Sequence, residues 1–288
     1  MSFIQTNDNT RLYYQDWGTG KPMVFLHAWA MNADMWESHM LYFSDRGMRC
    51  FAYDRRGHGR SERPGHGYHY DRHADDLETI LSHFDLHDVT LVGHSMGGGE
   101  IIRYLTRHGL SRIDRIVLVA PALPYLLKTE NNPEGLDRMV FEGARSAIRR
   151  DFPTWLADNS NGFYLPESFD VSPAVVQWTV NMILKTSLKA AIDGTHQSFE
   201  TDFRKELQAV SVPALLIHGN ADSSIPVYFG RKAAELLPNC SYKEYEGAPH
   251  GIFFTHFDRL NADILEFVNL NTAEDKVYGN KSREPSSW

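Results

Sequence analysis

Ser95 stands between two glycines in the run DVTLVGHSMGGGEIIRYL, residues 88–105, where an apolar β-forming stretch passes directly into a helical pattern. A Gly-x-Ser-x-Gly turn between strand and helix forces the serine onto a tight, strained bend and lifts its hydroxyl above the sheet edge, which is how a nucleophile is displayed. Such a serine needs a base to take its proton, and the base needs an acceptor that holds its tautomer. In an open parallel sheet these partners belong in loops at the carboxyl ends of later strands. ALLIHG, 214–219, runs into Asn220-Ala221-Asp222, and SYKEYE, 241–246, runs into Gly247-Ala248-Pro249-His250. The chain order Ser95, Asp222, His250 is the one this elbow requires, and it selects one histidine among fourteen. His94 adjoins the serine but points away from the site off the turn, so a packing or hydrogen-bonding role is expected for it.

A serine adding to a carbonyl also needs two N–H donors aimed at the oxygen that becomes charged. One is the backbone amide of Met96, at a helix N-terminus where unpaired amides and the helix dipole favour an anion. The loop after PMVFLH, residues 22–27, reads His27-Ala28-Trp29-Ala30-Met31, and the second donor is assigned to the Trp29 amide. A lone Gly-x-Ser-x-Gly is a weak signal; elbow, Asp, His and oxyanion loop in this order after successive strands form a strong one. Trp29, Phe141, Phe199 and Ile225 are the candidate liners of an apolar substrate pocket, although aromatics at helical spacing fit the core of a lid equally well.

Other chemistry-bearing residues read more plainly. His66, His69 and His73 in GHGYHYDRHADD lack a zinc-ligand spacing and suit a solvated loop leading into a helix, so no metal site is expected. Arg55 and Arg56 precede a glycine turn and are expected to brace their loop. Cys50 and Cys240 open strand-like runs as small buried residues, unpaired and not catalytic.

The elements that must position these groups alternate along the chain. RLYYQD (11–16), PMVFLH (22–27) and MRCFAY (48–53) are strand-like, and Ala74, Leu77, Ile80, Leu81 and Phe84 recur at helical spacing. DVTLVG (88–93), a helix from Met96, and RIVLVA (115–120) repeat the rhythm. Apolar strands alternating with amphipathic helices predict an α/β fold with a doubly wound, mostly parallel sheet, preceded by two antiparallel strands. The rhythm breaks over 122–210, which holds helix-like segments rich in aromatics and reads as a helical lid inserted into a core of 1–121 and 211–270. Residues 271–288 are polar and aperiodic and are expected to be frayed or disordered.

The 288 residues are 42% hydrophobic and 23% charged, with a formal net charge of −8. That length holds a substantial core, and that charge offers no basic surface for a phosphate backbone, so nucleic-acid binding is not expected. No window has the length and apolarity to span a membrane and no leader pattern opens the chain, which points to a cytoplasmic protein. The expected partners are a small-molecule ester and at most further copies of the chain.

These residues together carry a resemblance to the α/β hydrolase superfamily and, within it, to the cofactor-free haloperoxidase and arylesterase group. It rests on NADMW (32–36), YDRRGHGRS (53–61), ADDL (74–77), LVGHSMGGGE (91–100), LLKTENNPEGL (126–136), SFETDF (198–203), HGNADSSIP (218–226) and GAPHGI (247–252). The resemblance implies a serine hydrolase of carboxylic esters, with peracid formation from hydrogen peroxide as a side activity and no haem, metal or flavin. Its triad falls on Ser95, Asp222 and His250, and its oxyanion amides on Trp29 and Met96. Two positions depart from the group's pattern: Ala28 replaces a glycine and Ala30 a proline. A proline at 30 is expected to fix φ near roughly −65° and move the Trp29 carbonyl, so alanine there favours hydrolysis over peracid formation. The same machinery would serve a lactonase or a γ-lactam-opening amidase, and a slow hydrolase acting as a ligand receptor is a third reading. Dehalogenase and epoxide hydrolase chemistry is disfavoured because it needs a carboxylate where Ser95 stands.

Overall fold

The computed structural model describes residues 2–279. Its strands are β1 Phe3–Gln5, β2 Arg11–Gly18, β3 Pro22–Leu26, β4 Arg49–Tyr53, β5 Val89–His94, β6 Ile113–Val119, β7 Ala214–Gly219 and β8 Cys240–Tyr245. They form one sheet in the order β1-β2-β4-β3-β5-β6-β7-β8. β1 with β2 and β2 with β4 pair antiparallel, and every later pair is parallel. The central strands are buried along their whole length, as expected of strands covered on both faces.

Alternate residues of these strands feed two separate cores. Phe25, Cys50, Val92, Val117 and Ile217 face one layer; Val24, Phe51, Leu91, Ile116 and Leu216 face the other. On the first face lie α1 (Glu37–Ser44) and the last helix, numbered α12 (Phe257–Gly279); on the second lie α2 (Tyr70–His83), α3 (Met96–His108) and α10 (Val227–Leu236). The result is a doubly wound α/β architecture, as the alternation predicts. The last helix continues into the stretch expected to be irregular, because a long helix propagates through polar formers such as Ala, Glu and Lys once its first turns are anchored. The remainder of that expectation, 280–288, lies outside the described residues.

Between β6 and β7 the chain forms α4 (Arg138–Arg150), α5 (Phe152–Tyr164), α6 (Pro166–Phe169), α7 (Pro173–Ile183), α8 (Leu188–Glu200) and α9 (Arg204–Gln208) and no further strand. We read 122–210 as a lid on a core of 1–121 and 211–270. A short helix α11 (Ile252–Thr255) follows His250. No helix among the described residues is long and apolar enough to cross a membrane.

Candidate active site

Ser95 caps α3 with φ 55° and ψ −114°, a left-handed backbone that costs a non-glycine residue on the order of 1–3 kcal/mol. Three backbone bonds enforce it: Ser95 N–H donates to the Val119 carbonyl at 2.9 Å, and the Ser95 carbonyl accepts from Gly98 N at 3.0 Å and Ala122 N at 3.1 Å. The flanking glycines are required by close approach. A Cβ at Gly93 would lie 2.7 Å from the Gly97 carbonyl oxygen, and one at Gly97 2.6 Å from that of Leu26. Any side chain at either position would push α3 off the sheet.

Asp222 and His250 come from the loops after β7 and β8, which are tied together by Asn220 N to the Tyr245 carbonyl (3.0 Å) and Ala221 N to that of Ala248 (3.1 Å). His250 Nδ1 lies 2.6 Å from Asp222 Oδ2. The other carboxylate oxygen accepts the amides of Ser224 and Ile225, each at 2.8 Å, and His218 Nε2 lies 3.3 Å from Oδ2. Burial pushes the Asp222 carboxyl up, but the charge of His250 and the hydrogen bonds from His218 and His250 outweigh it and hold the group well below the usual carboxylate range. A carboxylate fixed as an anion keeps the proton on Nδ1 and leaves Nε2 as the free face of the base. No hydrogen bond joins Ser95 to His250 among the described residues; both face one cavity of about 380 Å³. His94, one residue from the elbow, points instead toward the far side of the base, its Nε2 2.9 Å from the His250 carbonyl oxygen. Burial and the neighbouring His250 lower its pKa to about 3, so it packs against His250 as a neutral ring.

The loop at 28–31 turns back on itself, with Met31 N 3.4 Å from the Ala28 carbonyl and Ala30 at φ 56°. This corrects the reading of Ala30 as a site where proline would simply stiffen the loop: an L-residue there is already in the left-handed region, and proline cannot reach it. Proline would force the Trp29–Ala30 peptide to turn over and would disturb the Trp29 amide. The present conformation is held by Thr186 Oγ1, which donates to the Ala30 carbonyl at 2.6 Å, and by the Trp29 indole N–H, which donates to the Ala191 carbonyl at 2.8 Å. Met96 is buried, and its amide opens α3 beside Ser95.

Arg55 is the brace expected of it, with partners invisible in the sequence. Its guanidinium donates to the carbonyls of His27 and Ala28 and to Glu100, on the α3 turn that follows Ser95. One buried ion pair thus ties the loop that carries Trp29 to the helix that follows Ser95. Arg56 pairs with Asp8 and Asp76. His69 caps α2, His66 is exposed and His73 is buried; no group of three potential metal ligands gathers among the described residues. Cys50 and Cys240 are free, the latter half-buried.

Of the four expected pocket residues, Trp29, Phe199 and Ile225 line the cavity. Phe141 does not. It stacks behind Phe199, ring centroids 4.3 Å apart, within a small cluster that joins Leu126 and Leu127 of the lid to Phe229 of α10. The apolar side of the wall that sequence reasoning missed comes from Trp155, Leu156 and Phe163 on α5 and Val176, Val180 and Ile183 on α7. Phe163 sits edge-on to His250 at 5.4 Å, and its carbonyl accepts the Gly251 amide at 2.7 Å, so the lid is pinned directly to the loop of the base.

A mostly parallel, doubly wound sheet with a serine elbow after β5, an acid after β7 and a histidine after β8 defines a class, and the chain belongs to it: the family model for the alpha/beta hydrolase fold matches residues 21–257. Within that family the chain is 39% identical to a non-heme haloperoxidase of Rhodococcus erythropolis, over 93% of this chain and 99% of the relative. It is 34% identical to a bifunctional esterase/perhydrolase of Acinetobacter calcoaceticus, over 93% and 99%. The crystal structure of a bromoperoxidase from Bacillus anthracis superposes with a TM-score of 0.89 at 35% identity, covering 93% of this chain and 100% of that one.

Proposed function

We propose that the protein is a serine carboxylesterase that cleaves small to medium, largely apolar acyl or aryl esters through an acyl-enzyme, with peracid formation as a side reaction. The observation that carries this is the strained Ser95 sharing a cavity with His250, whose Nδ1 is locked on a buried, ionised Asp222. Ser95 Oγ forms a bond to the ester carbonyl carbon while His250 Nε2 takes the hydroxyl proton. The oxygen that gains charge is held by the amides of Trp29 and Met96. His250 returns the proton to the departing alcohol, and water, deprotonated by the same nitrogen, then releases the acid and regenerates Ser95. Hydrogen peroxide in place of that water gives a peracid, an outcome in keeping with the haloperoxidase and esterase/perhydrolase relatives.

Turnover of p-nitrophenyl butyrate by wild type and Ser95→Ala tests the assignment. Wild type should hydrolyse the ester, and the variant should lose the activity while keeping its circular dichroism and melting temperature. Equal rates in the two proteins would overturn it.

A further inference from the structure

Away from the rim and from Ser95 and His250, the polar side chains on the cavity wall are the Thr179 and Tyr164 hydroxyls, which bond each other at 2.7 Å, and Ser198. Ser198, on α8, is buried and lines the cavity, and its Oγ has no hydrogen-bond partner. Of the buried, unpartnered side-chain polar atoms among the described residues, it alone lies on this wall. A hydroxyl left unpaired in an apolar surface is destabilising, and a valine or alanine would close the wall at no such cost. The Tyr70 phenol sits beside Ser198 and is also buried without a partner. It is held against the turn of α3 that follows Ser95, where a Cβ at Gly99 would come within 2.5 Å of its oxygen. Burial pushes the phenol up, so it remains a donor. The Ser198 hydroxyl, without a partner of its own, is free to point its proton into the cavity, and beside the Tyr70 phenol it presents a donor to whatever fills that space. No lysine or arginine lines the cavity, and Asp158 stands at its rim, so the matching group is an uncharged acceptor rather than a carboxylate.

We propose that Ser198, backed by Tyr70, is a specificity subsite that selects esters carrying a second, neutral oxygen (an ether, ketone or hydroxyl) away from the scissile carbonyl. This rests on the esterase reading and adds to it the class of substrate.

The test is an oxygen scan in isosteric esters. p-Nitrophenyl hexanoate is compared with analogues in which an ether oxygen replaces one acyl methylene in turn, and hexyl acetate with the corresponding analogues in its alcohol chain. Each is turned over by wild type, Ser198→Ala and Tyr70→Phe. Dividing each wild-type kcat/KM by that of the variant cancels the intrinsic reactivity of the substrate. For at least one oxygen position the Ser198→Ala ratio should be about tenfold, chiefly in KM, against a ratio near one for the all-carbon ester. Tyr70→Phe should shift the same position in the same direction by a smaller factor. Ratios equal for oxygen-bearing and all-carbon esters at every position would overturn the subsite while leaving the esterase reading intact. Failure of wild type to hydrolyse any ester of the series, all-carbon or oxygen-bearing, would overturn the esterase reading itself, and the subsite with it.

Discussion

The floor and the roof of the cavity are built by different rules. The floor is backbone geometry and buried hydrogen bonds: Ser95 pinned by three main-chain bonds, Asp222 by two amides, the oxyanion loop by Arg55. The roof is apolar contact, with Trp155 edge-on to Trp29 at 5.7 Å and Phe163 edge-on to His250 at 5.4 Å. Hydrogen bonds at fixed distances hold reacting atoms in place, whereas apolar walls bind by area and tolerate reshaping. Changes in the floor should therefore strike kcat, and changes in the roof KM.

The largest effect that separates the two regions is the loss of the nucleophile. Ser95→Ala should lower kcat by about a millionfold with little change in apparent ester binding, measured by inhibition of substrate-analogue binding to the folded variant. Next is the loop brace. Arg55→Lys keeps the charge but not the fork that reaches the His27 and Ala28 carbonyls and Glu100 together. It should cost about a hundredfold in kcat, the scale of a misplaced oxyanion donor, with KM changed less than threefold or so. Ala30→Pro should act in the same way by turning over the Trp29–Ala30 peptide, while Ala30→Gly, which suits φ 56°, should leave ester hydrolysis near wild type. Measuring peracid and acid together for both variants shows whether the loop also sets the choice between water and peroxide. In the roof, Trp155→Ala should raise KM for long acyl chains roughly tenfold at nearly constant kcat. A fall in kcat there as large as that of Arg55→Lys would erase the distinction between the regions.

Residue for residue, the smallest effect is on stability against pH, and it belongs to the floor and the core beneath it. His27, His39, His58, His73 and His94 are all buried, and burial lowers the pKa of each: to about 4 for His39, about 3 for His58 and His94, and well below the ordinary value for His27 and His73. A histidine lowered in the folded state binds its proton more readily when unfolded, so its stabilisation is present above the unfolded pKa of about 6.5 and is lost as pH falls below it. Each contributes a loss of about 1 kcal/mol per pH unit in that window. The melting temperature should hold from pH 8 to 7 and fall steeply from pH 6.5 to 5. His27→Gln should soften the fall, measured as melting temperature against pH beside wild type.

The same contrast explains what the sequence discloses. Strand ends are marked by the switch from apolar runs to glycine-rich loops, so the loops that carry Ser95, Asp222 and His250 can be placed by chain order alone. The lid offers no such markers. Phe141 and Phe199 look alike in sequence, and only packing puts one behind the other; the apolar stripes of α5 and α7 read as lid core until the cavity they face is seen. The partners of Arg55 lie 28 and 45 residues away along the chain, and no local pattern joins them. Ala30 conceals its left-handed turn because alanine gives none of the warning that glycine gives.

The central claim is that Ser95 is the residue that becomes acylated, activated by His250. Its most direct test is to label the wild-type protein with a p-nitrophenyl phosphonate and map the adduct by peptide mass spectrometry, alongside His250→Ala. One adduct per chain on Ser95, formed at least a thousandfold more slowly in His250→Ala in line with triad behaviour, is the predicted result. An adduct on any other residue, or labelling of Ser95 at the same rate without His250, would contradict it.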